Sequence, residues 1–268
     1  MNRRIWVKLI LWGAIVVSPL TWAGSNGNQK ATIEPERIVK FAKSVEKYAA
    51  AKGARAFIIA RAGRPQKELP RGIQYTHTAV AVYSNIELSD GTQAQGYAIH
   101  NLYQENNKPE RSVLMVDYPV DFFWGVHSLK AGIIIPSADI QQRLIQLISD
   151  GKNADIHNPK YSVIANPFNA QYQNCTEHTL DLLNAAIYQT TDKNRLKANA
   201  KAYFKPQRVN MSPFKLMMGA AFMGEVTTKD HRGRVYTTTF ASIGRYLSAY
   251  QLADQMVTLY EDGGVTIL

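Results

Sequence analysis

One cysteine, Cys175, stands in a chain of 268 residues, so no internal disulfide can form and stability has to come from an ordinary hydrophobic core. The patterns that hold metals are missing as well. There is no HExxH and no paired CxxC, and His127, His157 and His231 have no partners at metal-ligand spacing. No metal and no other cofactor is therefore expected. The G-x-S-x-G elbow, the glycine-rich phosphate loop and the dinucleotide fingerprint are absent too, which removes the common serine-hydrolase and nucleotide-dependent classes. No internal repeat and no low-complexity tract interrupts the chain. Long apolar runs are scarce: Leu9 to Val17 is too short for a comfortable membrane span.

That run belongs to a secretory leader over residues 1–23. Arg3, Arg4 and Lys8 make its basic start, and Thr21-Trp22-Ala23 supplies a cleavage site. The mature chain is then expected outside the cytoplasm, in the periplasm of a Gram-negative source, where nucleic acid is no partner. Acidic residues are also in deficit. The whole chain has 31 Lys and Arg against 21 Asp and Glu, a net +10, and loss of the leader's three bases leaves 28 against 21. Seven bases, Lys193, Arg195, Lys197, Lys201, Lys205, Arg208 and Lys215, lie between Asp192 and Glu225 with no acid among them. Such a stretch reads as a solvated face with the potential to meet an anionic envelope surface.

What is present reads as a mixture of antiparallel strands and helices, an α+β chain. Pro35 opens a helix whose Ile38, Phe41, Ala42, Val45, Tyr48 and Ala49 make one apolar stripe, closed by Gly53. Strands are expected at Arg55 to Arg61, Tyr75 to Tyr83, Gly96 to Tyr103, Ser112 to Val116, Ala131 to Ile135 and Tyr161 to Ala165. Ser137 caps a helix to about Ser149. Beyond residue 190 a basic helix to Phe204, an apolar segment Phe214 to Met223, a polar loop around Asp230-His231, a helix Ser242 to Leu252 and a strand near Met256 to Tyr260 follow. Four segments result: leader 1–23, helical lead 24–54, core 55–190 and a mostly helical extension 191–268.

The chemistry concentrates at Asn174-Cys175-Thr176-Glu177-His178. Asn174 is a strong N-cap, Glu177 sits in capping-box register, and Leu180, Leu183 and Ile187 recur at helical spacing. Cys175 at the first helical position faces unsatisfied N–H groups and the positive end of the helix dipole, the environment that favours a thiolate. A cysteine nucleophile needs a base, and the base needs an orienting group. By residue type, His77 serves as base and His100 as orienting group. Strand alternation puts His77 on a face with Ala79 and Ala81, and His100 on a face with Gly96 and Ala98. Two adjacent surfaces of small side chains would thus each offer an imidazole to a docking helix. Asn101 or Gln104 replaces His100 if the register slips. His178, one turn from Cys175, reads as a helix-surface or packing residue. Tyr75 and Arg61 are candidates to line the cleft and bind substrate.

The order T-H-T-A-V-A-V-Y, G-Y-A-I-H-N-L, Q-N-C-T-E-H-T-L-D-L-L resembles the circularly permuted branch of the papain-like, NlpC-type cell-wall peptidase superfamily, which includes the lecithin:retinol acyltransferase-like proteins. The mature chain, with R-A-G-R-P-Q-K-E-L-P-R-G-I-Q-Y-T-H and T-F-A-S-I-G-R-Y-L, is also similar to the exported bacterial domain-of-unknown-function family 2145. These resemblances imply an antiparallel sheet or half-barrel packed on the cysteine-bearing helix. They imply Cys175 as nucleophile, His77 as base and His100 as third residue, acting on an amide or ester through a thioester. A peptidoglycan peptide or an acyl lipid is the substrate so implied. The alternative use of the same cleft is non-catalytic binding of peptide or lipid in the envelope.

Overall fold

The computed structural model describes residues 31–87, 90–210 and 226–268. The expected leader and the apolar segment Phe214 to Met223 lie outside the described residues. Elements run α1 (Pro35–Ala51), β1 (Ala56–Ala62), β2 (His77–Glu87), β3 (Gln93–Glu105), β4 (Lys108–Asp117), α2 (Pro119–Phe123), β5 (Ser128–Pro136), α3 (Ala138–Ser149) and α4 (Asn153–Ile156). Then come α5 (Cys175–Tyr188), α6 (Lys193–Tyr203), β6 (Gln207–Arg208), β7 (Tyr236–Thr237), α7 (Phe240–Ala249), β8 (Ala253–Tyr260) and β9 (Val265–Ile267). The architecture is α+β: a seven-stranded antiparallel sheet in the order β4-β3-β2-β1-β5-β8-β9, clothed by helices on both faces.

Alternation along the strands divides the core in two. Ala56, Ile58, Ala60, Val80, Val82 and Ile134 point to one face, under α3, α5, α6 and α7. Phe57, Ile59, Ala79, Ala81, Ile99 and Ile133 point to the other, under α1 and α2. The expected stripe of α1 is the buried one, with Ile38, Phe41, Ala42, Val45 and Ala49 inside. Gly53 follows at φ 66°, a left-handed turn that a side chain would strain.

Helix α5 differs from the other helices. Twelve of its fourteen residues, from Cys175 to Ala186, are buried, so it runs through the interior and carries polar side chains with it. Each of those needs a partner. Glu177 does not complete a capping box; its carboxylate instead meets the Lys197 ammonium, which also bonds both oxygens of Asp181 at 2.9 and 2.7 Å. Gln173 Nε2 adds a bond to Asp181 Oδ2 at 2.8 Å. Burial pushes Glu177 up to about 8, with Asp181 adding to the rise and Lys197 opposing it. The same carboxylates hold Lys197 above its ordinary range against the effect of its own burial.

Four expectations change here. Lys197 is 8% exposed, so the basic run is no uniform solvated face, and Lys193 turns inward to the His157 carbonyl. Tyr161 to Ala165 is no strand: Tyr161 makes one isolated bridge to Gln173 before the chain turns. Ser137 begins α3 without a side-chain cap bond. The stretch 191–268 is more than an extension packed on the core, because among its described residues β8 pairs with β5 and β9 with β8, which joins them to the main sheet.

Candidate active site

Asn174 sets the start of α5. Its backbone is extended (φ −118°, ψ 176°), and its Oδ1 accepts from Glu177 N at 2.9 Å. Its Nδ2 donates to the Val163 carbonyl at 3.0 Å and to Thr237 Oγ1 at 3.3 Å. The cap is thus fixed to two other segments, and Cys175 follows as the first helical residue. Thr179 Oγ1, one turn on, bonds the Cys175 carbonyl at 3.0 Å and reaches the Thr78 carbonyl at 3.4 Å, which ties the helix start to the start of β2. Cys175 packs with Leu102 and Tyr161, and its sulfur lies 3.7 Å from Thr176 Oγ1. It lines a cavity of about 100 Å³ that Asn174, Thr176, Tyr75 and Tyr161 also border.

His77, fully buried, opens β2. It pairs across the ladder with Arg61, so both side chains share the α1/α2 face of the sheet. The imidazole stacks on Tyr103, with centroids 4.8 Å apart and planes 7° apart, and the Phe122 ring centroid lies 5.6 Å away. His77 Nε2 lies 2.9 Å from Asn101 Oδ1. The Asn101 amide is oriented by its own donors: Nδ2 bonds the Ile99 carbonyl at 2.9 Å and Asp117 Oδ2 at 3.1 Å. An acceptor therefore faces Nε2, which makes Nε2 the protonated nitrogen and Nδ1 the acceptor of the ring. The Tyr103 hydroxyl bonds the same Asp117 oxygen, closing a His77–Asn101–Asp117–Tyr103 circuit. Burial, and after it the Arg61 charge, lower His77 to about 3, with Asn101 opposing both. The imidazole is neutral at neutral pH. Tyr103, the stacking partner of His77, is pushed up by burial and also senses Cys175 among its charged neighbours, Arg61 acting the other way. Cys175, packed with Leu102, and His77, against Asn101 and Tyr103, thus lie beside successive residues of β3.

His100 does not join that circuit. It pairs with Val80, and Val80 belongs to the α5 face of the sheet, opposite to His77. Parity is the reason: His77 and Val80 are three residues apart on one strand, so their ladder partners face opposite ways. His100 is only partly buried and lies within electrostatic reach of the buried His178, beside His157, whose ring stands 6.2 Å from that of His178. Asn101, the register alternative, holds the place facing His77. Gln104, the other alternative, donates to the Pro109 carbonyl at 2.7 Å.

Arg61 is 4% exposed and does not border the cavity; its guanidinium donates to the Phe122 carbonyl and lies over the Tyr103 and Phe122 rings. Tyr75 does border it, its hydroxyl held by Thr258 Oγ1 at 2.7 Å and its ring against Phe240 at 4.8 Å. A second cavity of about 200 Å³ shares Tyr75 and Thr239 with the first. Sequence reasoning missed Asp117 and the row Thr237-Thr238-Thr239, which come to the site only through tertiary pairing. Among the described residues, no three His, Cys, Asp or Glu side chains gather as a metal ion would require.

Comparison with known sequences gives one relationship. The sequence model of the family described as uncharacterized protein conserved in bacteria (DUF2145) matches residues 48–247, from the last turn of α1 to α7. That span is the larger part of the chain, and the chain belongs to this bacterial family. No curated protein and no solved structure matches it.

Proposed function

We propose that the chain is a cysteine-dependent hydrolase or acyltransferase of the cell envelope, built as a circularly permuted papain-like enzyme and acting on an amide or ester. The observation that carries this reading is the His77–Asn101 bond, 2.9 Å long, at the end of the sheet where α5 begins with Cys175. An imidazole whose Nε2 proton is held by an amide oxygen has Nδ1 as its acceptor nitrogen, the one that takes a thiol proton in this reading. His77 takes the proton of Cys175 and the sulfur bonds to the substrate carbonyl carbon. The imidazolium then returns the proton to the departing amine or alcohol, leaving a thioester. Water, or a second acceptor, attacks that thioester and regenerates the thiol. The Cys175 N–H at the helix start is positioned to stabilise the oxyanion.

In this reading His100 has no part in the reaction, Asn101 is the orienting residue, Tyr75 borders the substrate, and burial, with Arg61 adding to it, keeps His77 neutral. Peptidoglycan peptides and acyl lipids are the substrate classes in view. Export through the 1–23 leader, to the periplasm in a Gram-negative source, is part of the proposal; among the described residues no helix is long and apolar enough to cross a membrane. Arg195, Lys201, Lys205 and Arg208 stay exposed and support contact with an anionic envelope surface.

Intact-mass analysis after mixing with activated acyl esters tests the proposal. A single acyl adduct on Cys175, absent in Cys175→Ser, is the expected result. The second reading, a non-catalytic protein that binds peptide or lipid in the same cavity, draws on His77 being 0% exposed and outside the cavity wall. It requires that no adduct form with any ester.

A further inference from the structure

Three successive threonines border the cavity beside Cys175, and they are not equivalent. Thr237 Oγ1 bonds the Ala165 carbonyl at 3.1 Å and the Asn174 amide at 3.3 Å. Thr239 Oγ1 accepts from Ser242 N at 3.1 Å and caps α7. Thr238, between them and 3% exposed, has a hydroxyl with no hydrogen-bond partner among the described residues. A buried hydroxyl without a partner is costly, and one on a residue that lines a cavity gains a partner when rotation about χ1 turns it to a group that enters.

The rest of the lining narrows what that is. Ile73, Tyr75, Tyr161, Val163, Ile164 and Val209 make it mostly apolar. Its charged members, Arg64 and Glu68, stand 3.8 Å from each other, so the pair adds no net charge. An apolar cavity of about 150 Å³ takes up benzene, six heavy atoms, so about 100 Å³ holds roughly four. Four heavy atoms is the size of a leucine side chain, one more than valine. A lysine or glutamate side chain is longer and would bring an unpaired charge, and a long acyl chain exceeds the space.

We infer that this cavity is the acyl-side specificity pocket of the proposed cysteine enzyme, and that it selects a small uncharged residue of a peptide whose backbone bonds the Thr238 hydroxyl. The inference rests on the proposed cysteine chemistry and narrows its two substrate classes to peptides with alanine- to leucine-sized residues.

Acetyl-aminoacyl chloromethyl ketones read the pocket without requiring turnover: the Cys175 sulfur displaces chloride and a thioether forms. Second-order rates of labelling, with the adduct mapped by mass spectrometry, are compared for alanyl, valyl, lysyl and glutamyl reagents, an N-decanoyl acyl chain reagent, and iodoacetamide as the reagent without a side chain. In the wild type the alanyl and valyl reagents are expected to react at least tenfold faster than the lysyl, glutamyl and decanoyl ones. In Thr238→Val, the valyl reagent is expected to slow by about three- to tenfold, the effect of one hydrogen bond, with iodoacetamide unchanged. Labelling at equal rates across the series, or fastest with a charged or decanoyl reagent, overturns the pocket assignment and leaves the reactive cysteine standing. Failure of every reagent, iodoacetamide included, overturns the cysteine chemistry and the pocket together. The wild-type series decides the matter even if Thr238→Val does not fold.

Discussion

Lys197→Met removes an ammonium bonded to two buried carboxylates, and its effect follows from the surroundings. Glu177 and Asp181 are 0% and 2% exposed, and Lys197 Nζ bonds both, with the Asp181 contacts at 2.9 and 2.7 Å. Removing one partner of such a set leaves carboxylates in the interior, and the cost for breaking a buried pair this way is about 3–5 kcal/mol. The sign with pH follows. In the wild type the raised Lys197 pKa gives a contribution fully present below about 10.5, the ordinary lysine value, and lost only above it. In the variant Glu177, already raised to about 8 by burial, loses the opposing Lys197 charge, so it rises further and its protonation restores stability as pH falls. Each unit by which Glu177 rises past its wild-type value is worth about 1.4 kcal/mol between alkaline and neutral pH. Urea unfolding at pH 10 and pH 7 measures this, with a loss of about 3–5 kcal/mol at pH 10 that shrinks by about 1.4 kcal/mol at pH 7 for each unit of that rise. A loss under about 1 kcal/mol, or one equal at both pH values, refutes the account of the buried network.

Two further outcomes follow from the same interior. Because Glu177 is raised from 4.5 to about 8 by burial, its contribution is fully present below about 4.5 and declines as pH rises to 8; Glu177→Gln is expected to flatten the stability–pH curve across that window in urea titrations. Gly132 of β5 lies under two rings: a Cβ there would come within 2.7 Å of Phe240 and 2.9 Å of Tyr75. Gly132→Ala is expected to cost about 1–3 kcal/mol by thermal or urea unfolding and to change labelling through the displaced cavity wall, whereas a neutral Gly132→Ala contradicts the packing described.

Local rules made much of this legible. The Asn174 cap, the position of Cys175 at the helix start, the α1 stripe and the strands of His77 and His100 depend on short-range patterns and occur as those patterns require. The choice between His100 and Asn101 was not legible, because it turns on the β2–β3 register, and a single residue of parity moves a side chain through the sheet. The partner of Lys197 was equally hidden: a charge run looks solvated until a second helix, twenty residues earlier, brings carboxylates against it. The joining of β8 to β5 across more than a hundred residues left no local mark either. Asp117 sits at the end of an edge strand with nothing in its own segment to announce that it holds the Asn101 amide.

The central claim is that His77, oriented by Asn101, acts on Cys175, and the rate of Cys175 alkylation by iodoacetamide near neutral pH tests it most directly. The expected order is wild type and His100→Ala together, Asn101→Ala slower by roughly fivefold or more, from a buried donor left without its acceptor, and His77→Ala slowest by about a hundredfold or more. An unchanged rate in folded His77→Ala, or a loss in His100→Ala as large as in His77→Ala, contradicts it.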